Sequence, residues 1–162
     1  MKELGFLKKV FIYMLLPFSV LKNGAKLMFT RKERNGISKG APLKGKKNGA
    51  FTKDIPLEKL KEISRDSGYT INDIIMALTG LVLKKYLVSV VDTKTKHLHL
   101  GEPFSIRETP KSKKDLQLRN DFSIMKIKLE VSEDFDFLLR KVQKRMDDIK
   151  NSLDPFGVYY FI

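Results

Sequence analysis

The sequence predicts an α/β (α+β) domain in which helices pack on a mixed sheet. Short segments of alternating polarity interleave with longer segments whose apolar residues recur at helical spacing, and capping residues or glycine punctuate the joins. Read in order from residue 49, the elements run strand, helix, helix, strand, strand, helix. The first strand is Ala50-Phe51-Thr52-Lys53-Asp54-Ile55, which alternates. Pro56 then opens a helix over Leu57 to Asp66, with Leu57, Leu60 and Ile63 on one face and Lys59, Lys61 and Glu62 on the other. Ser67-Gly68 closes it, because glycine enters the left-handed conformation of a helix C-terminus without steric cost.

A second helix begins after Thr70 and runs to about Leu87. It starts on the polar pair Asn72-Asp73 and continues almost wholly apolar, which predicts burial on every side with both polar residues turned inward. Two readings of the pair stay open. Thr70 with Asp73 three residues on forms a capping box, or the pair serves a chemical site.

Lys96-His97-Leu98-His99-Leu100 alternates as a strand that extends towards Pro103-Phe104-Ser105-Ile106-Arg107. After a polar loop, Phe122 to Leu129 is the clearest strand of the chain. Ser132 caps a helix from Glu133 to about Ser152, whose buried stripe is Phe135, Leu138, Leu139, Val142, Met146 and Ile149. Residues 156–162 form one more apolar segment with nothing closing the fold after it, so the domain is expected to be truncated.

Composition narrows the chemistry. The 162 residues suffice for one core, and 42% hydrophobic content is ordinary, but 31% charged residues and a net charge of +13 are not. The chain has no cysteine, which excludes disulfides and thiolate metal sites and fits an intracellular protein. His97 and His99 are its two histidines. Alternation puts both on one strand face, where a metal would need a third ligand from elsewhere, so they read as surface residues and no metal is expected. Arg107 at the end of a buried-looking strand calls for a carboxylate partner or an anionic ligand.

The stretch before residue 49 differs in kind. Lys8-Lys9 precede the apolar run Val10 to Leu21, which Pro17 interrupts. A bilayer-spanning helix needs about 20 apolar residues. The run is short for that, and residues 1–29 are expected as an apolar or amphipathic helix lying on the protein or in a membrane interface, spanning only if it continues to Phe29. Residues 30–48 read as a flexible basic linker, with Arg31, Lys32, Arg34, Lys39, Lys44, Lys46 and Lys47 against Glu33 alone. Lys8, Lys9, Arg31, Lys32, Arg34, Lys44, Lys46 and Lys47 are the candidate contacts to an anionic surface. No phosphate-binding loop or aromatic-studded strand pair appears, so nucleic-acid binding would rest on charge alone.

Three segments, Thr70-Ile71-Asn72-Asp73-Ile74-Ile75, Pro103-Phe104-Ser105-Ile106-Arg107 and Leu118-Arg119-Asn120-Asp121-Phe122-Ser123, occur in the order and spacing of one family. The chain resembles the wax ester synthase/diacylglycerol acyltransferase family: residues 49–162 its C-terminal domain, the preceding stretch the part joining its two halves. The Asn-Asp helix start is the most specific piece; Arg119 departs from the pattern, standing where the family usually has glycine. The resemblance implies half of a two-lobed, chloramphenicol-acetyltransferase-like fold that passes a fatty acyl group from acyl-CoA to a long-chain alcohol or diacylglycerol. It implies no cofactor beyond acyl-CoA as substrate, and a membrane-associated location within the cell, at the endoplasmic reticulum or plasma membrane in a eukaryote. Asn72 and Asp73 would support the site, with Ser105, Arg107 and Asn120 in substrate-binding or structural roles. The family's general base is the second histidine of a His-His-x-x-x-Asp-Gly motif in the other lobe, and this chain has no adjacent histidines. By itself it is therefore expected to be inactive: a fragment or truncated product, a lobe that pairs with a separate histidine-motif chain, or a decayed copy. The rival reading is a non-catalytic, polybasic membrane-surface or scaffolding protein.

Overall fold

In the computed structural model, residues 6–29, 33–38, 45–47, 49–51, 53–107, 112–113 and 120–161 are described. Their elements are α1 (Phe6–Met28), α2 (Leu57–Ser67), α3 (Ile71–Ser89), β1 (His97–Ser105), β2 (Phe122–Glu130), α4 (Phe135–Lys150) and α5 (Asp154–Phe161). The fold is thus mixed α/β, but its sheet is not the mixed one expected. β1 and β2 form a two-stranded antiparallel sheet. Its ladder is bracketed by Ile106 N donating to Asp121 O at 3.2 Å and Val131 N donating to Lys96 O at 3.0 Å. The strand expected over residues 50–55 is absent among the described residues there, and Phe51 and Ile55 stand exposed. Alternation alone does not make a strand, because its backbone groups need a paired edge.

The chain divides into two compact units. The first comprises α1, α5, residues 99–127 and the end of α4. Here α1 packs on α5. The seam is built from small and polar groups: Ser19, Asn23 and Gly24 of α1 are buried, and so are Pro155, Gly157 and Val158 of α5. A side chain at Gly157 would run into Ser19 Oγ, so the close approach requires glycine. Ser123, Met125 and Ile127 supply the buried face of β2 in this unit.

The second unit holds α2, α3, the segment joining α3 to β1, and α4 up to Met146 together with residues 128–134. Leu87, Leu98 and Val131 form one core cluster of this unit, with Leu83 against them. Burying a leucine side chain is worth about 1.5–3 kcal/mol, so this cluster is a principal hold on α3. Gly80 lets α3 approach the strand backbone: a Cβ there would lie 2.7 Å from Glu130 O. Of the expected α4 stripe, Leu138, Leu139, Val142 and Met146 are buried, and Phe135 and Ile149 are half-buried. The cap differs from the one expected. Asp134 Oδ1 accepts from Phe137 N at 2.9 Å, while Ser132 Oγ accepts from Asp134 N, two residues too early to cap the helix.

Two further expectations fail. α2 has no buried residue, and Leu57 and Ile63 are exposed despite their shared face. α3 is not covered all round, because Ile75, Leu78, Val82 and Tyr86 form an exposed stripe. Composition reports that a helix is apolar; it does not supply neighbours for every side.

At its far end α3 closes in a Schellman motif. Asp92 N donates to Leu87 O at 2.8 Å and Val91 N to Val88 O at 3.0 Å. Val91 occupies the left-handed position at φ +61°, where glycine is usual and a β-branched residue is strained. Asp92 then gathers the adjoining loops. Its carboxylate accepts from Gly36 N at 2.6 Å, Thr95 Oγ1 at 2.7 Å and Thr95 N at 3.0 Å.

Candidate functional site

α2 ends at Gly68, whose φ of +74° turns the chain and whose N–H returns to Ser64 O. Ser64 Oγ donates to Tyr69 O at 2.7 Å, so only Gly68 and Tyr69 separate α2 from the extended N-cap Thr70. The capping box is present in full. Thr70 Oγ1 accepts from Asp73 N at 3.2 Å, and Asp73 Oδ2 accepts from Thr70 N at 2.9 Å and from Thr70 Oγ1 at 2.7 Å.

Capping accounts for one oxygen of Asp73. The residue is 2% exposed, and its Oδ1 is buried with no hydrogen-bond partner among the described residues. A capping carboxylate normally keeps its second oxygen in water. Burying that oxygen without a donor costs about 1–3 kcal/mol, and more for a charged group. Asp73 therefore presents an acceptor that its own helix does not use. Asn72 is the opposite case: it is exposed and does not turn inward as the pattern predicted.

The second constellation belongs to the other unit. The pairing of Ile106 with Asp121 brings Arg107 and Asn120 to the same end of the β ladder, just beyond β1 and β2. Ser105, Arg107 and Asn120 are all exposed. The buried strand end expected for Arg107 is therefore not found, because the outward positions of β1 alternate through Ser105 to it. His97 and His99 are exposed on one face of β1, as alternation predicted. No cluster of three metal-ligating side chains occurs among the described residues.

Of the candidate membrane contacts, Lys8 and Lys9 lie in the opening turn of α1, and Arg34, Lys46 and Lys47 are exposed. Arg31, Lys32 and Lys44 lie outside the described residues. No helix among the described residues is long and apolar enough to cross a membrane.

Two polar features went unread in the sequence. Ser123 is buried on the inner face of β2 with its Oγ unpartnered among the described residues. In the first unit, Asp154 at the start of α5 collects α1: Lys22 Nζ lies 2.5 Å from Oδ1, Asn23 Nδ2 3.2 Å from it, and Lys26 Nζ 4.0 Å from Oδ2. Burial pushes this carboxyl up, but the Lys22 and Asn23 hydrogen bonds and the two lysine charges outweigh it and hold the group below its ordinary value. The available signal was Ser19 and Asn23, four residues apart and so on one helix face where the apolar run ends.

Fold and site together define a mixed α/β chain with a buried, half-used carboxylate at a capped helix start. Comparison with family models, with curated proteins and with solved structures returned no match.

Proposed function

We propose that this chain is the inter-lobe segment and part of the C-terminal lobe of an acyl-CoA-dependent O-acyltransferase of the wax ester synthase/diacylglycerol acyltransferase type, with the two-lobed chloramphenicol-acetyltransferase-like plan. The observation that carries the reading is Asp73, buried at the motif position with Oδ1 lacking a donor among the described residues. A carboxylate so enclosed holds the helix start that would border the site, and it supports that site rather than performing proton transfer. The base would be a histidine of that lobe. It takes the proton of an alcohol or diacylglycerol hydroxyl, whose oxygen attacks the acyl thioester; the C–O bond forms, the C–S bond breaks, and the proton leaves with the CoA thiol. Acyl-CoA and a lipid hydroxyl are the substrates, and the site is membrane-associated.

The test is acyl transfer from radiolabelled acyl-CoA to hexadecanol and to diacylglycerol, with the chain alone and with a separately expressed lobe carrying His-His-x-x-x-Asp-Gly. Activity is expected only in the mixture, and Asp73→Ala is expected to abolish most of it. Activity of the chain alone, or full activity of Asp73→Ala in the mixture, would refute the assignment. The rival, a non-catalytic membrane-surface protein, is favoured by the outward apolar residues of α1 and predicts vesicle binding with no transfer in either arm.

A further inference from the structure

In α1 the usual amphipathic order is reversed. Among its described side chains the buried positions are Ser19, Asn23 and Gly24, and Leu15, Leu16 and Val20 are half-buried, while Val10, Tyr13, Met14, Phe18, Leu21 and Met28 face outward; Phe18 is 71% exposed and Leu21 73%. Val10, Met14, Phe18, Leu21 and Met28 recur at intervals of three, four and seven, with Tyr13 beside Met14, so they form one stripe along the helix. In water this arrangement is doubly unfavourable, because apolar area stays hydrated while polar groups are withdrawn. It suits a helix whose outer side meets an apolar medium. There a small and polar seam gives close helix packing while the apolar side chains face the surroundings.

We infer that α1 is an in-plane membrane anchor: its Val10–Met28 stripe enters the acyl boundary of an anionic bilayer, and the α5 side stays towards the protein. No helix among the described residues is long and apolar enough to cross, so α1 lies along the surface. Lys22 and Lys26 follow the stripe along one flank, beside Asp154. The whole chain carries +13, complementary to anionic headgroups and repulsive to a second copy of itself. That charge selects a lipid surface over self-association as the occupant. The inference rests on the membrane association in the proposed function and not on its chemistry.

The chain contains no tryptophan, so Phe18→Trp supplies a single reporter at the centre of the stripe with little change in shape. With vesicles of phosphatidylcholine and phosphatidylserine, its emission is expected to move to the blue and to be quenched by lipids brominated along the acyl chain. Binding should be about tenfold weaker to phosphatidylcholine alone. Leu21→Asp should lower vesicle binding by about tenfold or more, with an unchanged far-ultraviolet circular dichroism spectrum. Emission from the introduced indole that stays water-like while vesicles bind would overturn the inference, since attraction would then come from the basic residues alone. So would an absence of binding, or a blue shift without lipid that grows with protein concentration. None of these readouts uses acyl transfer, so failure of the anchor and failure of the proposed chemistry are separate results.

Discussion

A carboxylate has two oxygens, and at Asp73 they have different fates. Oδ2 is spent on Thr70, whereas Oδ1 is buried without a donor among the described residues. Two substitutions separate the roles. Thr70→Ala removes the cap and is expected to lower stability by about 1 kcal/mol in urea unfolding. Asp73→Asn keeps an acceptor for Thr70 N, so its main expected effect is on transfer by the reconstituted pair. Val91 offers a gain. Relief of its left-handed strain at φ +61° exceeds the extra entropy that glycine brings to the unfolded chain. Val91→Gly should therefore stabilise by about 0.5–1 kcal/mol, visible as a higher melting temperature. Asp154 makes the first unit acid-sensitive. Its folded-state carboxyl lies below the ordinary 3.8, so its contribution is fully present above that value and is lost as pH falls through the folded-state value. Melting temperatures measured from about pH 6 down to about pH 3 should fall less steeply for Asp154→Asn than for the native chain.

At the scale of elements, packing decides what propensity leaves open. Alanine is a better helix former than glycine by about 1 kcal/mol, yet Gly80→Ala is expected to destabilise. The new Cβ would meet Glu130 O at 2.7 Å and Leu138 at 3.3 Å, and strand backbone cannot yield as a side-chain tip can. Overpacking of this kind costs about 1–3 kcal/mol, so the steric term wins and the urea midpoint should drop. Gly157 plays the corresponding part in the first unit, where Ser19 fills the space above it. α2 shows the contrary situation: it is well capped by Gly68 and has the right apolar spacing, but it buries nothing. Its stability depends on local terms and on its contact with α3.

At the scale of the molecule, the proposed reading makes stability depend on a partner. A lobe that completes the site bordered by Asp73 binds the folded chain and not the unfolded one. At about a hundred times its dissociation constant it would add about 2.7 kcal/mol. Differential scanning calorimetry should show the transition rising with lobe concentration, and Asp73→Ala should flatten that rise. The two compact units divide the known features between them. The α1–α5 seam and the Arg107–Asn120 ladder end belong to the first, the capping box and the Leu87 core to the second.

The sequence by itself determined the elements whose causes are local. Thr70 and Asp73 announce a capping box because its bonds span three residues, Gly68 announces a left-handed stop, and the α4 stripe follows from periodicity. β1 and β2 were legible from alternation, and His97 and His99 from their parity on a strand. What lay in distant pairing was not legible. Residues 50–55 alternate but find no strand to pair with among the described residues, α3 is apolar but not enclosed, and α1 hides Ser19 and Asn23 while showing Phe18 and Leu21. Burial is a property of the surroundings rather than of the side chain. Only the tertiary structure decided which face of each helix had a neighbour, and so left Asp73 Oδ1 buried without a donor among the described residues.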